Sequence, residues 1–172
     1  GDVYKRQGTF HGDLHPGNCI IDEEGRFVFI DNGAICNAPS HVNRSLFTFF
    51  QHLSDHRFDD AFKALLGLSE RPMNEDKISL YMEKMHEIYH DFEMKTVGEQ
   101  SLTRIMMKTV KCAVEQAGAE FGEEAFPIIR ALMYLDGLVI RTHPNVRLIS
   151  SMGPYLDEFR ENLPIENKVH AT

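Results

Sequence analysis

Two short polar segments near the start of the chain carry side chains that suit phosphate and metal chemistry. Asp13 and Asn18 lie in the first segment, residues 11–18, and Asp31 begins the second, which reads Asp-Asn-Gly. Carboxylate and amide oxygens suit Mg²⁺, an ion that usually keeps part of its water shell and bridges to substrate phosphates. The residue types therefore predict a site for magnesium and a phosphate compound, provided that the two segments meet.

A β-hairpin predicted between the two segments meets that condition. Apolar runs at 19–21 and 27–30 flank the polar turn 22–26, and Gly25 in that turn suits a positive φ. Because the two ends of a hairpin lie side by side, we expect the three oxygen-bearing side chains to converge on one point.

The first segment also leaves two other interpretations open. His11, Asp13 and His15 alternate along it, and imidazole with carboxylate suits zinc or iron in a metallohydrolase. That hypothesis gives no role to 16–18 or to Asp31. Both segments also have the composition of ordinary turns, in which Asp, Asn, Pro and Gly are common. The ordered pair of segments around one hairpin favours phosphate chemistry over both alternatives.

The order of the two segments resembles a known pair of loops. His-x-Asp-x-x-x-x-Asn at 11–18, a hairpin, and Asp-x-Gly at 31–33 are similar to the catalytic loop and the metal-binding loop of the protein-kinase-like fold. The His-Pro-Gly-Asn motif at 15–18 resembles that of the atypical UbiB/AarF-type kinase-like family, which is linked to ubiquinone biosynthesis. Aminoglycoside phosphotransferase-like small-molecule kinases share nearly the same loop. Two later runs, 43–68 and 130–139, resemble the helical lobe of the UbiB/AarF type and favour it.

The resemblance implies a role for each polar residue of the two loops. Asp13 would be the catalytic aspartate that accepts or orients the attacking hydroxyl or water, and Asn18 and Asp31 would hold Mg²⁺ and, with it, ATP. His15 would join Asp13 as a catalytic residue. It lies where many protein kinases place a lysine, so a permanent cation is replaced by a group that titrates near neutral pH. His11 would brace the loop rather than react.

Two departures from the family pattern leave a binding role open. Asn32 stands where the family usually has an apolar or aromatic residue behind the metal loop. The N-terminal lobe of the fold, with its nucleotide loop, lysine–glutamate pair and Lys-x-Gly-Gln segment, is not found in this sequence. The alternative is therefore a pseudokinase-like binding or scaffold module. On the enzyme hypothesis, we expect this chain to be inactive alone and to need the missing lobe in cis.

The ends of the chain differ in character from its middle. Residues 1–7 lack an initiator methionine and read as a non-native leader, so we leave them out of the fold prediction. We assign 8–163 to the kinase-like C-terminal lobe and 164–172 to a polar tail. The whole chain of 172 residues is long enough for one domain with a real core.

The net charge and the spacing of the cysteines indicate which partners and which cellular compartment to expect. The net charge of −8 comes without a basic stripe, which argues against nucleic acid as a main partner. The three cysteines are widely spaced along the chain, which is typical of reduced thiols in a cytoplasmic compartment. We expect ATP as a partner, and peripheral membrane association stays open.

Helical patterns follow one another from Ser40 onward, so the predicted fold is mainly α with one small β-hairpin. The segment 123–142 is apolar on nearly all sides, but Arg130, Asp136 and Arg141 interrupt it. A membrane span needs about 20 apolar residues with few charges. We therefore predict a buried central helix.

The stretch between Asp31 and Ser40 is too short for the activation segment of peptide-phosphorylating kinases, which ends in Ala-Pro-Glu. A small-molecule or lipid-like substrate, or water in an ATPase, is favoured.

Overall fold

A computed structural model describes residues 9–31, 33, 35–71 and 74–161. The described part is mainly α with a small β-hairpin, so the predicted fold class is confirmed. The leader 1–7, the tail 164–172 and Asn32 lie outside the described residues. The elements are β1 Thr9–His11, β2 Cys19–Ile21, β3 Phe27–Phe29, β4 Ile35–Asn37, α1 Ser40–Ser54, α2 Phe58–Leu66, α3 Glu75–Tyr89, α4 Leu102–Cys112, α5 Ala125–Thr142 and α6 Leu148–Glu161.

The predicted hairpin is present, with β2 and β3 antiparallel and Ile20 opposite Val28. Its turn is organised by Asp22, whose Oδ1 accepts hydrogen bonds from the backbone N–H groups of Glu24 at 3.0 Å and Arg26 at 2.8 Å. Two hydrogen bonds from Arg26 hold the pKa of Asp22 below its ordinary value. The backbone N–H has the larger effect and the guanidinium the smaller one. Gly25 has φ 78°, the left-handed conformation that glycine adopts without strain.

A second antiparallel pair, β1 with β4, was not predicted. His11 lies opposite Ile35, and Phe10 lies opposite Cys36. Each strand has three residues, which is too short for an alternating pattern to be recognised in the sequence. The pair ties the residues just before the first polar segment to those just after the second.

The core lies between the helices. α1 packs against α2 and α6, α3 packs against α4, and α4 packs against α5. Two tyrosines in the core satisfy their hydroxyl groups: Tyr81 donates to the carbonyl of Phe62 at 2.9 Å, and Tyr89 bonds the Thr109 hydroxyl at 3.0 Å. Burial raises the pKa of Tyr89. The fully buried large side chains are Tyr81, Phe62, Leu53, Met85 and Ile105.

The long helix α5 differs from its prediction as a buried central helix. It begins at Ala125, and only Ala131 and Asp136 of its described side chains are buried. Phe126 is 65% exposed and Leu135 42%. An apolar helix is buried on all sides only where neighbours cover every side, and apolarity alone does not reveal which sides are covered. No helix in the described ranges is long and apolar enough to span a bilayer.

Two glycines provide a matched test of backbone conformation. Gly118 follows the π-helical turn Ala113–Ala117 that ends α4, and it has φ 72°. Gly137 lies inside α5, where an added Cβ would meet nothing within 4 Å. Gly118→Ala should cost about 1 kcal/mol of unfolding free energy, whereas Gly137→Ala should add roughly 0.5–1 kcal/mol. Urea denaturation of both variants checks the opposite signs, and a shared sign would contradict the backbone assignments.

Candidate active site

The first polar segment brings Asp13 and Asn18 together. After β1 the chain passes through an extended stretch and enters a short 3₁₀-helix, Pro16–Asn18, before β2 begins. The Asn18 amide Nδ2 donates to the Asp13 carbonyl at 3.2 Å and lies 3.5 Å from the Asp13 carboxylate oxygen Oδ2. Both residues are half-buried. Because Nδ2 is committed to Asp13, the amide oxygen Oδ1 is the atom that Asn18 can offer to a cation.

The hairpin places the second polar segment beside the first. The backbone N–H of Ile30 donates to the Asn18 carbonyl at 3.0 Å, so Asp31 directly follows a residue that is tied to Asn18. Asp31 is exposed, and its Oδ1 accepts the N–H of Gly33 at 2.8 Å. That bond holds the turn and leaves the second carboxylate oxygen, Oδ2, for a ligand.

His11 connects the two segments directly. Its Nδ1 accepts the backbone N–H of Asp13 at 3.2 Å, and its Nε2 contacts the backbone carbonyl of Asp31. A carbonyl oxygen only accepts, so Nε2 carries the proton and the ring is neutral. Both ring nitrogens are therefore used for protein contacts. This arrangement agrees with a bracing role for His11, and it removes His11 from the alternative zinc or iron site.

His15 is exposed and has a fixed orientation. Its Nδ1 accepts the N–H of Gly17 at 3.0 Å, which caps the 3₁₀-helix. The neutral ring then carries its proton on Nε2. The His15 ring also meets Tyr134 edge-on, with 5.5 Å between the ring centroids. His15 can therefore present an N–H donor to an anionic ligand without being charged.

The donor set fits magnesium rather than a closed zinc-type site. Among the side chains that the structure describes, no three His, Cys, Asp or Glu residues are grouped as a metal site. Mg²⁺ is commonly bound by one or two protein oxygens, with phosphates and waters completing its octahedron. Asn18 Oδ1 and Asp31 Oδ2 provide two such oxygens, so the residues present fit this ion.

Helix α5 carries three residues that the sequence-based prediction did not assign to the site or to its support. The Arg130 Nε donates to the carbonyl of Gly12 at 2.9 Å, and Tyr134 contacts His15. Asp136 lies on the same helix and accepts hydrogen bonds from the start of α4. The available signal was the presence of charged side chains in an otherwise apolar helix. In the sequence alone, these charges indicate only that the segment does not span a membrane.

Comparisons with known proteins identify a similar domain family and similar proteins. Residues 3–64 match the ABC1 atypical kinase-like domain. The protein ACTIVITY OF BC1 COMPLEX KINASE 3, chloroplastic, from Arabidopsis thaliana is 24% identical over 155 residues, which cover 86% of this chain and 20% of that protein. A probable protein kinase UbiB from Blochmanniella pennsylvanica is 25% identical over 185 residues, covering 96% of this chain and 31% of the relative.

A third match is shorter but has a higher sequence identity. An uncharacterized protein from Mycobacterium tuberculosis is 64% identical over 28 residues, which are 16% of this chain and 6% of that protein. The chain thus spans about a fifth to a third of the length of the first two relatives. No solved structure matches the chain.

The mainly helical fold and the two bridged loops define a protein-kinase-like C-terminal lobe. Within that class, residues 3–64 are similar to the ABC1 atypical kinase-like domain, and the chain is similar at low identity to a probable protein kinase UbiB. The resemblance inferred from residues 11–33 is therefore confirmed.

Proposed function

We propose that this chain forms the metal-binding and nucleophile-binding side of the active site of an ATP- and magnesium-dependent atypical kinase or ATPase. The bridge made by His11 carries the proposal. One imidazole bonds the backbone of Asp13 and that of Asp31, so the two loops are held as one unit. A pair of unrelated surface turns has no need of such a connection.

Each residue of the two loops then has a definite task. Asn18 Oδ1 and Asp31 Oδ2 would hold a magnesium ion, which when bound would supply charge neutralisation for the phosphates of ATP. Asp13 orients the attacking hydroxyl or water and receives its proton. His15 would donate a hydrogen bond from its Nε2–H group to a phosphate oxygen. Phosphoryl transfer needs mainly positioning and charge stabilisation, and these four side chains supply both.

The acceptor is proposed to be a small molecule, a lipid-like molecule or water. Between Asp31 and α1 the chain forms the short strand β4, which pairs with β1. This segment is therefore used in the fold and is too short to hold a peptide substrate. For the whole protein we propose a role in isoprenoid-quinone metabolism, on the resemblance of residues 11–18 to the UbiB/AarF type. The similarity to a probable protein kinase UbiB supports the kinase-like part of this proposal.

Asp13→Asn in the protein expressed from the intact gene tests the proposal. The variant should hydrolyse or transfer the γ-phosphate of ATP about 100-fold more slowly, because a positioned general base typically contributes at least that factor. Its affinity for magnesium-ATP should stay within about twofold of the original, an estimate that assumes an unchanged metal site.

Glu23→Gln is the matched control, since Glu23 is an exposed acid in the hairpin turn between the two polar segments. It should leave turnover unchanged. Normal turnover by Asp13→Asn would remove Asp13 from its proposed role. Binding of magnesium-ATP without turnover in the unsubstituted protein would favour the pseudokinase-like binding module.

A further inference from the structure

Helix α5 presents two side chains, one turn apart, to the first polar segment. Arg130 and Tyr134 have the i, i+4 spacing that places side chains on one face of a helix. Arg130 Nε donates to the carbonyl of Gly12 at 2.9 Å. Tyr134 meets the ring of His15 with their centroids 5.5 Å apart and their planes perpendicular. Both contacts reach the loop that carries Asp13.

The contact of Arg130 completes the support of one peptide group. Gly12 is buried, and its carbonyl belongs to the same planar unit as the N–H of Asp13. Arg130 holds the oxygen end of this unit, while His11 Nδ1 accepts the N–H end at 3.2 Å. Because both ends of a rigid plane are fixed, the direction in which the Asp13 side chain leaves the backbone is restricted.

The contact of Tyr134 acts on the second catalytic candidate. The His15 ring is held at Nδ1 by the N–H of Gly17 at 3.0 Å. A single hydrogen bond still allows the ring to rock about that contact. The perpendicular Tyr134 ring limits this motion. The direction of Nε2, the atom left for a ligand, is therefore set by the two contacts together.

The supporting helix is itself held firmly. Asp136 is 3% exposed and accepts hydrogen bonds from Ser101 Oγ and from the N–H groups of Leu102 and Thr103. These bonds attach α5 to the first turn of α4. One and two turns before Asp136, Leu132 and Ile128 line a small apolar cavity together with residues of α1, α2 and α4. α5 can thus transmit a fixed position to the loop.

We propose that Arg130 and Tyr134 are positioning residues of the catalytic loop. Arg130 sets the plane of the Gly12–Asp13 peptide group, and Tyr134 sets the direction of His15 Nε2. In its consequence for turnover, this inference rests on the proposed function. Its consequence for the loop itself does not, because the two contacts join groups of this chain alone.

The first experiment measures the loop alone, by hydrogen–deuterium exchange of a peptide covering residues 11–18 in the protein expressed from the intact gene. Arg130→Met keeps the apolar stem and removes the donors, and this peptide should exchange about tenfold faster, the factor expected for loss of roughly one hydrogen bond. Arg130→Lys retains a donor and should restore most of the protection. Arg141→Met is the matched control, because Arg141 lies exposed in the last turn of α5.

The second experiment separates positioning from binding by steady-state kinetics with magnesium-ATP. Arg130→Met should lower kcat about tenfold and leave KM within roughly twofold, the pattern of a contact that matters in the transition state. Tyr134→Leu should behave in the same way, and Tyr134→Phe should retain kcat because the ring remains. If Arg130 and Tyr134 had a purely structural role, their substitution would lower the fraction of active protein, and Arg130→Lys and Tyr134→Phe would not restore kcat.

The results distinguish failure of the inference from failure of the proposed function. If Arg130→Met and Arg141→Met exchange equally slowly at 11–18, the positioning inference is wrong, whatever the turnover. If the unsubstituted protein does not turn over ATP but Arg130→Met still loosens 11–18, the proposed function fails and the placement of the loop by α5 stands.

Discussion

Asp31→Asn is expected to abolish magnesium-dependent nucleotide binding while leaving the fold intact. Asparagine keeps the Oδ1 acceptor for the Gly33 N–H, which Asp31 engages at 2.8 Å, so the turn should persist. The negative charge is lost, and with it the strongest oxygen ligand of the proposed site. We expect ATP affinity in magnesium to fall roughly 100-fold or more, since even residues outside the metal's ligands change metal affinity 10–100-fold.

Calorimetric titration with ATP measures this effect, once with magnesium and once with a chelator. The original protein should show a large difference between the two conditions, and Asp31→Asn should show almost none. Glu23→Gln, an exposed acid in the hairpin turn, serves as the control for simple loss of a nearby charge. An affinity of Asp31→Asn equal to that of the control would exclude Asp31 as a metal ligand.

Asp136→Ala is expected to produce a large loss of folding stability. Its carboxylate accepts hydrogen bonds from Ser101 Oγ at 2.6 Å and from the N–H groups of Leu102 and Thr103 at 2.9 Å. The N–H groups at a helix start have no partner within the helix, and the helix dipole favours an anion there. Removing a 3% exposed carboxylate leaves these donors unpaired and should cost about 3 kcal/mol.

Urea denaturation, with the same folded baseline for all variants, measures this cost. Asp136→Asn keeps the shape of the side chain and one oxygen acceptor. It should therefore lower the free energy of unfolding by about half as much as Asp136→Ala does. Asp55→Ala is the control, because Asp55 is an exposed acid at the end of α1; it should change stability by less than about 0.5 kcal/mol. Equal stability of Asp136→Ala and Asp55→Ala would show that this cap does not stabilise α4.

Much of the local fold could be predicted because its signals are short in range. The hairpin can be predicted from two apolar runs and from Gly25 between them. The turn requires a positive φ at that position, and Gly25 has φ 78°. The start of α3 follows from Asn74, whose side chain accepts the N–H of Asp76 and caps the helix. In each case the residues that determine the element lie within or next to it.

The parts that were missed depend on contacts between distant residues. β1 and β4 pair across the whole hairpin, and neither is long enough to show a pattern alone. Which side of α5 is exposed depends on which helices pack against it, and the amino-acid composition of α5 does not reveal this. The same holds for the site: Asp13 and Asn18 are five residues apart and were paired from sequence, but Arg130 reaches Gly12 over 118 positions.

Metal-directed cleavage tests most directly whether the two polar segments form one magnesium–nucleotide site. Iron(II) replaces magnesium in the presence of ATP, and the radicals that it generates with peroxide and ascorbate cut the backbone close to the ion. We expect ATP-dependent cuts in both 13–18 and 31–33, with loss of both in Asp31→Asn. Cuts in only one of these segments, or cuts elsewhere such as the acidic start of α3 at Glu75 and Asp76, would contradict a shared site.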